Sequence, residues 1–413
     1  AERYAAELGA NLRFAATSER DVALRGADFV LNTVQPLGHE AEEAWRRVAE
    51  GHGYYRGLRY SDSARSLQTN LHQYDFMLGL ARDIERLCPN AWLIDSANPV
   101  FEGCTLMTRQ TAVKVIGLCH GFHGYRRVAA FLGVPPDAID QVEWEAPGVN
   151  HWIYLTHFRH RGQDLYPRLD EWIKTEAPQY WASFNGPYGE FHLARAVVDH
   201  YQRVGLLPIG DAARTFDQWY YHADLPTKRR WYGHLGGRDS EISWRQYLER
   251  LDGNIQRIEQ VATDESVPVT TLVKPERTRE VQVPIIDAIA NDRPGVFQVN
   301  VPNSGAIQNI AADVVVEGKA LVDASGAKLL HVGKLLQMVL RPRIAATEKG
   351  LLAYQTGDRD LLVSAVLDDH RTRSLEQAEG VVDAMLALPW NGPLAERFGR
   401  RRSVLPTYPP GPA

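Results

Sequence analysis

Three apolar runs without polar alternation mark the first third of the chain: ADFVLNT (27–33), AWLID (91–95) and AVKVIGL (112–118). Runs of this kind predict strands covered on both faces, as in a parallel sheet. Between them Leu71, Tyr74, Leu78, Ala81, Ile84 and Leu87 recur at helical spacing, predicting a helix over 68–87 that Pro89 and Asn90 end. Further helices are expected at 100–110 and 124–132. Upstream, ERYAAELG (2–9) reads as the end of a helix, NLRFAATS (11–18) as a strand, and 19–26 as a short helix. The alternation predicts a doubly wound α/β domain, Rossmann-like, over 1–147. A whole mononucleotide-binding half opens with a strand, a glycine turn and a helix, so about 40 further residues are expected before this numbering.

After about residue 140 the pattern changes. QVEWEA and HWIYLTHFRH read as strands, followed by helices near 165–176, 188–204, 215–231 and 242–258. A mixed block follows: a helix at 283–290, the strand VFQVNV (296–301), and DVVVEGKALVDASG (313–326) as a bent hairpin. Helices at 332–350, 357–365 and 373–388 complete the order. The expectation is a mixed α+β domain over 148–407 that carries the substrate, metal and oligomer contacts, with a tail at 408–413.

Composition narrows the function. With 413 residues the chain can build two domains. A formal net charge of -5 gives nucleic acid no global attraction. No apolar run is long enough to span a bilayer, and the first residues lack a signal-peptide core. Three cysteines, Cys88, Cys104 and Cys119, cannot all pair with one another and suit a reducing compartment. The expectation is a cytoplasmic protein without nucleic-acid or membrane partners.

Ligands of open α/β sheets collect beyond the carboxyl ends of the strands. Asn32, Thr33, Gln35, Asn98 and Cys119 all fall there. Cys119 closes one apolar run and His151 stands in GVNH (148–151), so the two can share a metal, with His120 and His123 as neighbours. Two protein ligands fall short of a closed structural site but leave room for substrate oxygens and water, a catalytic arrangement. Each also has a plainer reading, Cys119 as a small buried hydrophobe and His151 as a satisfied polar group. In SANPV, Pro99 biases Asn98 toward extended backbone, which suits either an Asn-Pro turn or an amide facing the crevice. The stretch LLPIGDAARTFDQWYYHAD (206–224) concentrates Asp211, Arg214, Asp217, Tyr220, Tyr221 and His222, as proton carriers or as a packing face. Glu280, Asn300, Asn303 and Glu317 lie in polar breaks and carry weaker signals.

Taken together, DSANPVFEGCTLMTR (95–109), KVIGLCHG (114–121), GVNHWIYL (148–155), LLPIGD (206–211), VPIIDAI (283–289) and VNVPNSGAI (299–307) resemble glycoside hydrolase family 4. Its members are NAD- and manganese-dependent glycosidases with a fold related to lactate and malate dehydrogenases. The CHG after KVIGL, with NPVFEG upstream, is most similar to the α-glucuronidase branch.

The resemblance implies Cys119 and His151 as metal ligands, Asn98 as a substrate and cofactor contact, and Tyr221 (or its neighbour Tyr220) as the base at C2. Many α-acting members carry an aspartate directly after the metal cysteine as general acid; here His120 holds that position. The family's GxGS turn is absent from this chain. The implied route is oxidation at C3 by NAD⁺, loss of the C2 proton beside Mn²⁺ or another divalent metal, elimination at C1, water addition and re-reduction.

A uronic substrate requires a cation, for which Arg109 and Arg214 are candidates, with His123 and Asp211 as further substrate contacts. The expected function is an α-glucuronidase acting on small acidic oligosaccharides or uronosides, as a homodimer or homotetramer. An α-galacturonidase is the nearest alternative. A metal-independent NAD-dependent 2-hydroxyacid dehydrogenase and a non-catalytic sugar- or NAD-binding protein represent other classes.

Overall fold

The structure, a computed structural model, describes residues 1–55, 63–186, 193–213, 219–237, 240–330, 332 and 337–399. Three parallel strands come first: β1 (Phe29–Asn32), β2 (Trp92–Asp95) and β3 (Lys114–Gly117), in the order β1-β2-β3. Their apolar residues serve two cores. Leu93 and Val115 pack with the helices Ser63–Leu87 and Val100–Gln110, whereas Ile94 and Ile116 pack with Ile285, Ala288 and Ile289 of the helix Gln282–Ala290. Covering both faces removes the need for alternation, and the sequence shows none.

The sheet continues beyond β3. The short strands β4 (Val142–Glu145), β5 (Gly148–Val149), β6 (Trp152–Leu155), β7 (His157–His160), β8 (Gln163–Asp164) and β9 (Leu207–Ile209) precede β10 (Gly295–Pro302), β11 (Val315–Asp323) and β12 (Gly326–Leu329). The long path runs β1-β2-β3-β10-β11-β5-β6-β9, with β12 beside β11; β4, β7 and β8 form a separate sheet. The antiparallel β10–β11 ladder, Gly295↔Val322 to Pro302↔Val315, joins the parallel half to the antiparallel half. One continuous sheet therefore carries both halves of the crevice.

Several expected elements differ. Residues 11–18 form no strand; Leu12 and Phe14 are 65% and 43% exposed, and the segment finds no ladder among the described strands. The run HWIYLTHFRH is two strands: Thr156 separates β6 of the large sheet from β7 of the small one. The helix expected over 215–231 is broken. Residues 214–218 lie outside the described residues, Trp219–Tyr221 is a 3-10 turn, and a new helix, Leu225–Tyr232, starts where Asp224 accepts from the Thr227 amide with Pro226 in the first turn. In place of the bent hairpin expected over 313–326 stands one uninterrupted strand, β11, and the turn falls at Ala324-Ser325 before β12.

Candidate active site

The crevice opens where β1, β2 and β3 end. Asn32 closes β1, but its side chain is spent on the protein: Nδ2 donates to Asp95 Oδ1 (2.7 Å), and Oδ1 accepts from the Val34 amide (3.1 Å). Asn32, expected as a cofactor contact, thus also braces the floor of the crevice. Asp95, fully enclosed, is pushed up to about 7 by burial, with Asn32 opposing. Thr33 and Gln35, just beyond, are exposed. Asn98 lies past β2, and its Oδ1 is buried with no hydrogen-bond partner among the described residues. An acceptor left so costs on the order of 1–3 kcal/mol unless a ligand donor reaches it.

Beyond β3 the chain turns through Cys119, His120 and the short 3-10 segment Gly121–His123. Here two loops touch. A Cβ built on Gly210, which has φ 63°, would stand 2.6 Å from Gly121 Cα and 2.7 Å from its carbonyl oxygen. Only glycines allow the Cys119 loop and the loop after β9 to meet this closely. Asp211 follows Gly210 and so arrives beside Cys119. The third arm is the two-residue turn Asn150-His151 between β5 and β6, paired Gly148↔Ile153 and Val149↔Trp152. His151 takes φ 62°, a left-handed conformation of tight turns that a β-carbon tolerates poorly.

The three side chains converge. Cys119, His151 and Asp211 offer ligand atoms that all lie within 4.8 Å of one another, and His151 Nε2 stands 2.9 Å from Asp211 Oδ2. Burial disfavours a charged His151 ring, but Asp211 and Cys119 outweigh it and hold the ring's pKa well above the ordinary imidazole value. Burial pushes the Cys119 thiol up, while His151 draws it down. A thiol, an imidazole and a carboxylate so enclosed form a donor set suited to a divalent cation, which would take the place of the protons. Asp211, expected as a substrate contact, therefore belongs to the ligand cluster.

Behind the cluster runs a row of buried polar groups. The register pairs Gly117 with Asn300, Asn300 with Glu317, and Glu317 with Gly148. Glu317 Oε1 accepts from Gln298 Nε2 (3.3 Å), which also donates to the Ala146 carbonyl (2.7 Å). Burial raises Glu317 to about 7, against the pull of Gln298 and His151. Asn300 and Glu317 carry weak sequence signals because each lies in a short polar break between apolar runs. Only strand pairing shows that they adjoin the cluster.

Other expected residues fare unevenly. His120 is exposed beside Cys119, and His123 is half-buried, with burial lowering its pKa. Arg214 lies outside the described residues. Arg109 is a correction: it lies in the last turn of the helix Val100–Gln110, about 14 Å along the axis from the helix start at the crevice, and its guanidinium grips Glu348 twice (2.8 Å each) and Asp313 (2.8 Å). Arg109→Ala is expected to cost about 1 kcal/mol in urea unfolding and to leave substrate KM unchanged, as ion pairs near the surface do. A rise in KM would return Arg109 to the site. Tyr221, expected as the base at C2, is fully buried, and its hydroxyl donates to Asp199 (2.5 Å). Burial and Asp199 both raise its pKa. Tyr220, 43% exposed on the same turn, is the member of the pair that keeps solvent access.

Comparison with known proteins adds to this geometry. Residues 1–133 match the family model "Family 4 glycosyl hydrolase", and residues 146–372 match "Family 4 glycosyl hydrolase C-terminal domain". An α-galacturonidase of Thermoanaerobacterium saccharolyticum is 26% identical over 88% of this chain and 80% of its own. An α-galactosidase of Bacillus subtilis is 24% identical over 87% and 80%. Among solved structures, a 6-phospho-α-glucosidase from gut microorganisms, in complex with NAD and Mn²⁺, superposes with a TM-score of 0.72 at 20% identity, over 93% of this chain and 86% of that one.

Proposed function

Because this chain belongs to glycoside hydrolase family 4, we propose that it is an NAD- and divalent-metal-dependent α-uronidase, with α-galacturonides ahead of α-glucuronides as substrates. The observation that carries the reading is the cluster of Cys119, His151 and Asp211 at the carboxyl end of the sheet. The preference for galacturonides draws on the α-galacturonidases among the relatives. It moves the expectation from the glucuronide to the epimer that differs in one hydroxyl.

The residues divide the work as follows. Cys119, His151 and Asp211 would hold the metal, Mn²⁺ being the ion seen in the gut-microbial relative's structure. Bound there, it would polarise the sugar's C2 and C3 oxygens, and Tyr221 or its exposed neighbour Tyr220 would take the C2 proton. Asn98 and the exposed Thr33 and Gln35 would line the cofactor side of the crevice, with the unpaired Asn98 Oδ1 accepting a ligand N–H or O–H. NAD⁺ would take and return a C3 hydride. His120, exposed next to Cys119, would carry the proton to the departing oxygen. Glu317, Asn300 and Gln298 would keep the His151 side of the cluster in place, as outer partners do at metal sites.

The test is hydrolysis of an α-D-galacturonide and an α-D-glucuronide in D₂O with NAD⁺, Mn²⁺ and a reductant, followed by analysis of the released sugar. Deuterium at C2 without net NADH is the expected result. Cleavage without deuterium would sink the elimination route. Accumulation of NADH would favour a dehydrogenase.

A further inference from the structure

We propose that Lys319 is the residue that recognises the substrate's negative charge, its ammonium pairing with an anionic substituent of the sugar at the mouth of the crevice. The inference rests on the glycosidase reading above and adds to it the residue that would select an acidic sugar.

The sheet register places this lysine. Gln298 pairs with Lys319 one step beyond the Asn300–Glu317 pair. Paired residues share a face, and alternate residues return to it, so Lys319 stands on the face that carries Glu317 and Asn300. The step from 317 to 319 leads toward the end of β3 where Cys119 lies, because β10 runs antiparallel to β3 and Asn300 is opposite Gly117. Two residues of strand span about 7 Å, the scale of one pyranose ring.

Its surroundings suit a sugar acid. The ammonium lies 4.2 Å from the centre of the Trp144 ring. Trp144 stacks on Tyr125 (4.6 Å, 16°) and Phe122 (5.5 Å, 12°), and Phe122 lies two residues before Gly124 on the loop that begins at Cys119. The indole under Lys319 is thus tied, through the buried Tyr125 and Phe122, to the loop that begins at Cys119.

Lys319 is half-buried, and among the described residues its ammonium makes no hydrogen bond or ion pair. Burial lowers its pKa, and the charge of Glu145 opposes this. The arginine beside this platform, Arg126, is already engaged with Asp140 and the Tyr125 hydroxyl. A half-desolvated ammonium held over an aromatic ring gains most from an anion that brings hydrogen-bond acceptors.

The carboxylate of a uronic acid and a sugar phosphate offer the same chemistry, and the test separates them. Wild type, Lys319→Met and Lys319→Arg would be assayed on an α-galacturonide, an α-galactoside and a 6-phospho-α-galactoside. Thermal shifts with free galacturonate, galactose and galactose 6-phosphate would run beside them. Methionine keeps the stem on Trp144 and removes the charge.

The expected result is a fall of about 10–100-fold in the galacturonide-to-galactoside ratio of kcat/KM for Lys319→Met, carried by KM, with the arginine variant close to wild type. Galacturonate should raise the Tm of wild type but not of Lys319→Met. The same losses confined to the phosphorylated sugar would support anion recognition with phosphate as the group. Equal losses on charged and neutral sugars, or an unchanged ratio, would overturn the proposal. If wild type cleaved no uronide yet galacturonate still stabilised it through Lys319, the uronidase reading would fall and the anion site would stand.

Discussion

Cys119→Ser is expected to lower metal-supported turnover by more than about 100-fold while the protein stays folded. The reasoning starts from ligand chemistry. A thiolate is a strong, deprotonated donor, whereas a serine hydroxyl keeps its proton at neutral pH and binds a divalent ion weakly. Losing only an outer partner of a metal ligand typically costs about 10–100-fold, so losing the ligand itself should cost more. The fold should tolerate the change, because Cys119 is only partly buried and sits in the loop beyond β3 rather than in a core. Metal titration by calorimetry, turnover at saturating Mn²⁺ and far-UV circular dichroism would be read together. Full turnover with undiminished metal affinity would remove Cys119 from the site. A collapsed dichroism spectrum would assign it to structure instead. Wild type stripped by chelator should match the variant's loss of activity and recover on adding metal.

Gly210→Ala should disturb the same centre without touching a ligand. The added methyl would meet Gly121 Cα at 2.6 Å and the Gly121 carbonyl oxygen at 2.7 Å, both backbone atoms that cannot swing aside. The φ of 63° adds the left-handed penalty that a β-carbon incurs. Together the two effects should destabilise the protein by about 2–4 kcal/mol in denaturant unfolding. The loops can relieve the clash only by separating, which moves Asp211 away from Cys119, so metal affinity should fall as well. Gly121→Ala is the matched control: its Cβ would lie 3.3 Å from Gly210 Cα and 3.5 Å from the Asp211 amide, contacts that small shifts relieve. The expected order is a large effect at 210 and a small one at 121. Equal, mild effects at both would mean that the loop contact does not hold the centre together.

The two glycines also show where sequence reading stopped. The unalternating runs AWLID and AVKVIGL were legible as strands because both faces are covered; β2 lies within one residue of the first run and β3 within two residues of the second. The candidates Cys119 and His151 were legible because each closes or follows a strand. Asp211 was visible as a polar residue after LLPIG, but its partner was not, because the contact that delivers it joins backbones 89 positions apart (210 − 121). Sequence could not show that the Tyr221 hydroxyl turns to Asp199. Arg109 looked available for a similar reason: helical spacing places it on a helix near Asn98, but not at the far end against Glu348. Glu317 was a weak candidate and Lys319 none, because a bent hairpin over DVVVEGKALVDASG does not show which face either residue takes. The uninterrupted β11 puts both on the working face.

The β10–β11 ladder has a further consequence. It lies between the parallel strands, which carry Asn98 and Cys119, and the antiparallel strands, which carry His151 and lead to Asp211. Eight paired positions run its full length, from Gly295↔Val322 to Pro302↔Val315. A hinge that opened the two halves would have to shear those pairs, so the crevice cannot work as a pair of jaws. The frame of the crevice therefore has a fixed width. The spacing between the groups that would face the cofactor and those that would grip the metal is set by sheet geometry before any ligand arrives.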